Sequence, residues 1–464
     1  MTNQQKKYTR GKKSTASNSD LPPAYFLSLE VENVLCFKGK QELKLCDSNG
    51  NPAQWTVILG NNGVGKTTLL RCLNRMELIL DNSAIAAFPF RLSANQDSET
   101  LQELEVLRSN RAVIRTKIVS GNSLSEIKSN RCEKSIEHSF KSMVGYALEG
   151  QRKELCGLTC YGYGATRKMG KTFLSESLSS DNSASLFSDN ATLINAEEWL
   201  LQTDYAIKAT PSKKGLLHSA ASHVRREKHY NQIFEVLKSI LPDVEDIRIE
   251  LDEDIERPIA KFLTPFGWVR LSSLGLGYRT TIAWMVDLAV RLFKRYPDSE
   301  DPLAEPAIVL VDEIDLHMHP KWQRDIMQFL TDRFPNTQFI VTAHSPLVVQ
   351  AAQEANIVLL RREGDRVVID NNPEIIDNWR VDQVLTSVFE IPSARPPQIE
   401  KLLAERQEIL SKPKISKADK AKLKELEEKI GALPTAETPD DIKAMDIIRR
   451  AAKLLEKSGV EVTE

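Results

Sequence analysis

The chain has 464 residues and a formal net charge of −2, enough length for two or three domains and no global field drawing it onto nucleic acid or membrane. No apolar run reaches the ~18 residues of a membrane span, and the N-terminus lacks the apolar stretch of a signal peptide, so a soluble cytoplasmic protein is expected. Its six cysteines (Cys36, Cys46, Cys72, Cys132, Cys156 and Cys160) lack paired Cys-x-x-Cys spacing and predict reduced thiols rather than a zinc site or a disulfide frame.

Residues 1–20 are polar, with Lys6, Lys7, Arg10, Lys12 and Lys13 among Ser, Thr and Asn, the composition of a disordered basic tail. After Pro22 and Pro23, Phe26, Leu27, Leu29, Val31, Leu35 and Phe37 predict a strand. Leu43 and Leu45 alternate with Glu42 and Lys44 in a second, and residues 47–50 form a turn. A third strand, residues 55–59, runs into Gly60, Asn61, Asn62, Gly63, Val64, Gly65, Lys66 and Thr67. This is Gly-x-x-x-x-Gly-Lys-Thr after a strand and before an apolar-periodic helix carrying Leu69, Leu70 and Leu73, the context a phosphate loop requires. Glycines let backbone N–H groups approach phosphate oxygens, Lys66 reaches the outer phosphates, and the Thr67 hydroxyl is placed to bind Mg²⁺.

Residues 81–240 carry the least pattern and are read as an insertion with a helical lobe. Residues 159–167 predict a strand ending in a glycine loop. Arg167 is then either close to a nucleotide or a surface residue in an ordinary turn. Residues 174–192, rich in Ser, Asn and Asp, predict a mobile loop, and helices follow over 196–207 and 220–241. His218, His223 and His229 lack metal-site spacing and are expected on the surface or in a minor nucleic-acid patch.

Beyond Pro242, Ile247, Ile249 and Leu251 alternate with charge, and with residues 258–262 and 268–271 they predict a small antiparallel sheet. A glycine loop, Leu274, Gly275, Leu276, Gly277, Tyr278 and Arg279, then opens an apolar helix over 280–293, a shape suited to anions. Residues 308–311 are β-branched and apolar and read as a strand buried on both faces. Asp312 and Glu313 follow directly, and two carboxylates at a strand tip call for a positive partner such as a metal ion carried by phosphates. A further strand over 338–342 leads to His344, and from Pro373 onward the pattern is helical, ending in a charged hairpin and a last helix near 445–455.

The order of phosphate loop, glycine loop, acidic strand end, Asp315 and His344 resembles that of ABC-type ATPases, the class that includes SMC, RecF and OLD-like proteins. The resemblance implies an α/β fold: a P-loop ATPase head with a mixed sheet core over 21–375, a short inserted segment, and a helical C-terminal region over 376–464 that binds a partner or builds an oligomer. It assigns residues 60–67, Thr68 and Gly277 to ATP, Thr67 and Asp312 to Mg²⁺, Glu313 to the general base and His344 to the γ-phosphate switch. It turns Asp315 toward an opposing subunit and makes Gln151 the weak candidate for a glutamine loop. Gly275 stands where the family signature has a serine, with Ser272 and Ser273 just upstream. The stretch from Glu313 to His317, His319 and Pro320 is similar to that of OLD-like and defence ATPases rather than transporters. Together with the short insert and charged C-terminus it resembles the PtuA family of Septu and retron antiphage systems. That implies a homodimer or higher oligomer, an HNH nuclease partner of the PtuB type, and DNA or retron msDNA as a ligand, with no membrane. The competing expectations are a RecF- or SMC-like ATP-gated DNA clamp without a nuclease, and a nucleotide-binding inhibitor that holds a toxin silent.

Overall fold

The apolar runs beside the glycine motif and the acidic pair become neighbours in one sheet. The structure is a computed structural model and describes residues 23–76, 112–121, 124, 133–139, 158–170, 181–208, 216–241, 243–252, 256–352, 354–373, 381–389, 391, 396–410 and 416–431. Strands β1 (Ala24–Val34), β2 (Phe37–Lys44) and β3 (Trp55–Gly60) precede helix α1 (Lys66–Asn74). Strands β4 (Val113–Ser120), β5 (Glu133–Ser139) and β6 (Cys160–Tyr163) are followed by α2 (Ala184–Phe187), α3 (Ala196–Lys208) and α4 (Leu216–Ile240). Then come β7 (Asp246–Asp252), β8 (Arg257–Thr264), β9 (Gly267–Arg270), α5 (Leu276–Arg295), β10 (Ala307–Val311), α6 (Pro320–Arg333), β11 (Thr337–Thr342) and α7 (Pro346–Ala351). The described chain closes with β12 (Asn356–Glu363), β13 (Arg366–Asp370), α8 (Val381–Ser387), α9 (Pro397–Leu410) and α10 (Lys417–Gly431).

The central sheet has the order β13-β12-β3-β11-β10-β6, parallel except for the antiparallel edge strand β13. Alternation along its strands explains the unbroken apolar runs. Val57, Leu59, Val309, Val311, Phe339 and Val341 face a core shared with α3, α4, α5 and α6. Ile58, Ile308, Leu310 and Ile340 face the opposite core, with α1 and the sheet β2-β1-β4-β5. A strand buried on both faces has no polar side to alternate with. The two sheets are joined by fully buried Gln338, whose amide accepts from Phe26 N at 2.8 Å and donates to Phe26 O at 2.9 Å. The third sheet, β7-β8-β9, is antiparallel throughout.

Because β3, β6, β10 and β11 run parallel and in register, with Val311 beside Val341 and Tyr163 and with Thr342 beside Ile58, their C-terminal ends lie at one edge. Four loops therefore converge there: the glycine motif, the acidic pair, residues 343–345 and residues 164–167. Carboxyl ends of parallel strands are the usual place for a ligand.

Several expectations need correction. Residues 181–192 hold the short helix α2, in which Ser185 and Leu186 are buried, as is Ser183 before it, instead of a mobile loop; 174–180 lie outside the described residues. His229 is not a plain surface residue, since its ring stacks on Phe293 with centroids 4.1 Å apart, and burial beside Arg225 and Lys228 pulls its pKa down. The side chains of His218 and His223, the tail 1–20, Gln151 and the last expected helix lie outside what is described. No helix among the described residues is long and apolar enough to cross a membrane.

The chain divides into two units, residues 1–389 and 390–464. In the second, α9 and α10 pair as a helical hairpin with Ile409 and Leu426 buried. A capping box opens α10: Asp419 N donates to Ser416 Oγ at 3.1 Å while Ser416 N donates to Asp419 Oδ2 at 3.0 Å.

Candidate active site

The phosphate-loop candidate leaves β3 at Gly60 and enters α1 at Lys66. Gly65 occupies the N-cap with φ 89° and offers no side-chain cap, and the first turn of α1 has no acidic residue. The first N–H groups of the helix and its positive end are thus left for an anion. A Cβ at Gly65 would stand 2.6 Å from Cys36 Sγ and 2.9 Å from the Phe37 ring, so the β1–β2 turn packs directly under the loop. Asn61, Asn62 and Gly63 form its exposed outer wall, while Val64 is buried beneath it. Lys66 is buried. Its Nζ donates to Gly60 O at 2.8 Å and Asn61 O at 2.9 Å, which folds the ammonium back over the loop. Burial pulls the Lys66 pKa down, against the opposing pull of Asp312, Glu313 and Asp315.

The acidic pair meets this loop through one short bond. Thr67 Oγ1 donates to Asp312 Oδ2 at 2.6 Å. Thr342, at the end of β11, donates to Asp312 Oδ1 at 2.6 Å and accepts from Glu313 N at 2.7 Å. Arg167 Nη2 donates to Glu313 O at 2.6 Å. Glu313 itself has φ 49°, an uncommon conformation for a residue with a side chain. Asp312 is anchored at its N–H by Tyr163 O, 2.8 Å away.

His344 follows β11 and lies half-buried. Its backbone N–H donates to the Asp315 carboxylate at 3.1 and 3.3 Å. The Asp315 carboxylate is buried and accepts this bond within its own chain. His319 caps α6 by accepting from Lys321 N at 3.3 Å, and His317 is exposed. Gly277 sits at the start of α5 against the His317 carbonyl, closer than any Cβ would allow. Its place is beside the turn that follows the acidic pair.

A hydroxyl and a carboxylate facing each other, an ammonium beside them and free helix-start N–H groups form a donor set suited to a polyphosphate with a hard divalent cation. Sequence reading brought together residues 60–67, Asp312, Glu313 and His344. It missed Thr342, whose only signal was a threonine ending an apolar strand, and it left Arg167 between two readings. Arg167 is buried beside the acidic pair.

Similarity to known proteins is as follows. The chain is 25% identical over 385 residues to "Retron Vc95 probable ATPase" of Vibrio cholerae serotype O1 biovar El Tor, covering 72% of this chain and 73% of that one. It is also 25% identical over 410 residues to "Septu protein PtuA" of Bacillus mycoides strain KBAB4; that match covers 87% of this chain and half the length of the relative. Among solved structures, the recombination mediator protein RecF aligns at TM-score 0.38 and 13% identity, over 75% of this chain and 99% of that one. Residues 55–350, which carry the phosphate loop, the acidic pair and His344, match the family described as "AAA domain, putative AbiEii toxin, Type IV TA system". The chain belongs to that family and is an ATPase similar to those of retron and Septu systems.

Proposed function

We propose that residues 60–68 take the phosphates of ATP, that Thr67 and Asp312 hold Mg²⁺, and that hydrolysis between two head-to-tail copies gates a partner effector. The observation that carries this reading is the 2.6 Å bond between Thr67 and Asp312, residues 245 apart in sequence that meet where a bridging cation belongs. Bound Mg²⁺ supplies charge neutralisation at the phosphate oxygens. Lys66 moves its ammonium from the Gly60 and Asn61 carbonyls onto those oxygens. Glu313 orients the attacking water and takes its proton at the side-chain carboxylate. His344 reads the γ-phosphate, and Gly277 of a second copy offers a backbone N–H to the same group. ATP then favours the closed pair because it contacts both copies, and loss of the γ-phosphate reopens it.

The PtuA-like relative is a Septu protein, which supports an effector of the HNH nuclease type, PtuB-like, with DNA or retron msDNA as the nucleic acid. In this reading the helical region 376–464 carries partner binding or higher assembly. The test is plasmid cleavage and ATP hydrolysis with the wild-type chain, Lys66→Ala and Glu313→Gln, each with and without an added HNH nuclease of the PtuB type. Glu313→Gln is expected to lower hydrolysis by roughly 100-fold and to accumulate an ATP-bound dimer. Lys66→Ala should abolish both hydrolysis and dimerisation. DNA cleavage by this chain alone sinks the partner model, and an oligomer profile unchanged by ATP sinks the paired-head model. ATP-dependent DNA binding with no cleavage in any arm favours the clamp instead.

A further inference from the structure

We infer that Arg167 is a positioning residue for hydrolysis: its hydrogen bond to the Glu313 carbonyl fixes the left-handed backbone that aims the Glu313 carboxylate. This rests on the reading of Glu313 as the water-orienting base.

Three observations converge on it. First, Arg167 is among the largest fully buried side chains, at 2% exposure. Burying a guanidinium is costly unless negative groups surround it. The carboxylates of Asp312, Asp315 and Glu313 hold it protonated, although burial pulls its pKa down to about 10. Secondly, the backbone of Glu313 is held by three bonds, on both sides of its Cα. Its N–H donates to Thr342 Oγ1, and its C=O accepts from Arg167 Nη2 at 2.6 Å and, within its own turn, from Leu316 N–H at 3.0 Å. With both flanking peptides fixed at φ 49°, the direction of Cβ is fixed as well. A non-glycine residue keeps such a conformation only where its surroundings over-determine it. Thirdly, Arg167 has a positive φ of its own, 37°, and its segment is pinned just beyond by Gly170 N donating to Leu193 O at 2.8 Å. The backbone is shaped to deliver this guanidinium to the end of β10.

A plain counter-ion role would need only charge. Positioning needs the planar fork, and Nε is buried with no partner among the described residues, so the Nη2 bond is what orients it. A lysine at 167 can keep the charge but not that geometry.

The experiment is a double-mutant cycle on the full chain, with wild type, Arg167→Asn, Arg167→Lys, Glu313→Gln and Arg167→Asn/Glu313→Gln. Asn tolerates the positive φ while removing the guanidinium. Steady-state hydrolysis of Mg·ATP, affinity for a fluorescent ATP analogue and thermal unfolding are measured for each. The expectation is a fall in kcat of about 10- to 100-fold for both Arg167→Asn and Arg167→Lys, with KM and nucleotide affinity within about twofold of wild type; recovery of the wild-type kcat in Arg167→Lys would show that charge suffices and overturns the proposal. Adding Arg167→Asn to Glu313→Gln should lose nothing further. Equal losses in both backgrounds overturn the proposal, as does a parallel fall in nucleotide affinity. Failure of both single variants to fold overturns it too, because a structural role then suffices. A wild-type chain without ATPase activity, or Glu313→Gln at the wild-type rate, overturns the reading of the site itself and is recognised before the Arg167 arms are compared.

Discussion

Gly65 meets two demands at once. Its φ of 89° lies in the left-handed region, and its missing Cβ leaves room for Cys36 and Phe37 beneath the loop. Gly65→Ala is therefore expected to destabilise the chain by about 1–3 kcal/mol and to weaken nucleotide binding, read by urea unfolding and by titration with a fluorescent ATP analogue. Unchanged values in both would show that the loop tolerates a side chain there. The residues legible in the sequence were those whose role is local, such as residues 60–67 and the Asp312–Glu313 pair at a strand end. Thr342 and Arg167 act across long separations. Arg167 lies 146 positions from Glu313, and only the pairing of β6 with β10 brings its loop alongside. The glycine-rich turn ending in Arg167 was visible, but its burial was not.

Among the elements, the central strands were read directly because an apolar run between a glycine motif and an acidic pair has few other uses. The seam between the two larger sheets was not. Gln338 looks like a polar interruption in an apolar strand, yet its amide pairs with both backbone groups of Phe26. Gln338→Leu would leave Phe26 N–H and C=O buried without that partner. A loss of about 1–3 kcal/mol is expected, measured by chemical unfolding, and a change below a few tenths would mean the seam is held by packing alone. Helix α2 was missed for the opposite reason. Its Ser- and Asn-rich surroundings predict a loop, but burial of Leu186 against β6 and α1 overrides local preference. The loop before α5 was visible in the sequence as a glycine turn opening a helix. What the sequence could not convey is that it is stitched to the turn after the acidic pair, by Gly277 on His317 and by the edge-to-face pair Tyr278–Trp322 with centroids 4.6 Å apart.

At the scale of the whole molecule, the residues proposed to hold the nucleotide lie in the unit 1–389, and the hairpin α9–α10 belongs to 390–464. Removal of residues 390–464 is expected to leave ATP-analogue affinity within about twofold of the full chain while abolishing activation of the nuclease partner proposed above; twofold corresponds to about 0.4 kcal/mol. Loss of nucleotide binding in the truncated chain would show that the second unit completes the site. The domain boundary was the hardest feature to place from sequence, because the helical pattern begins before 390 with α8, whose Val384 and nearby Val388 are buried in the first unit's core. Periodicity reports that a face is covered, not which unit covers it.

Gly275 has nothing nearer than 3.8 Å to an added Cβ, and its φ of −57° suits any amino acid. The serine found at the matching place in ABC-type signatures could therefore be written back without steric obstruction. Packing does not enforce the departure from that signature.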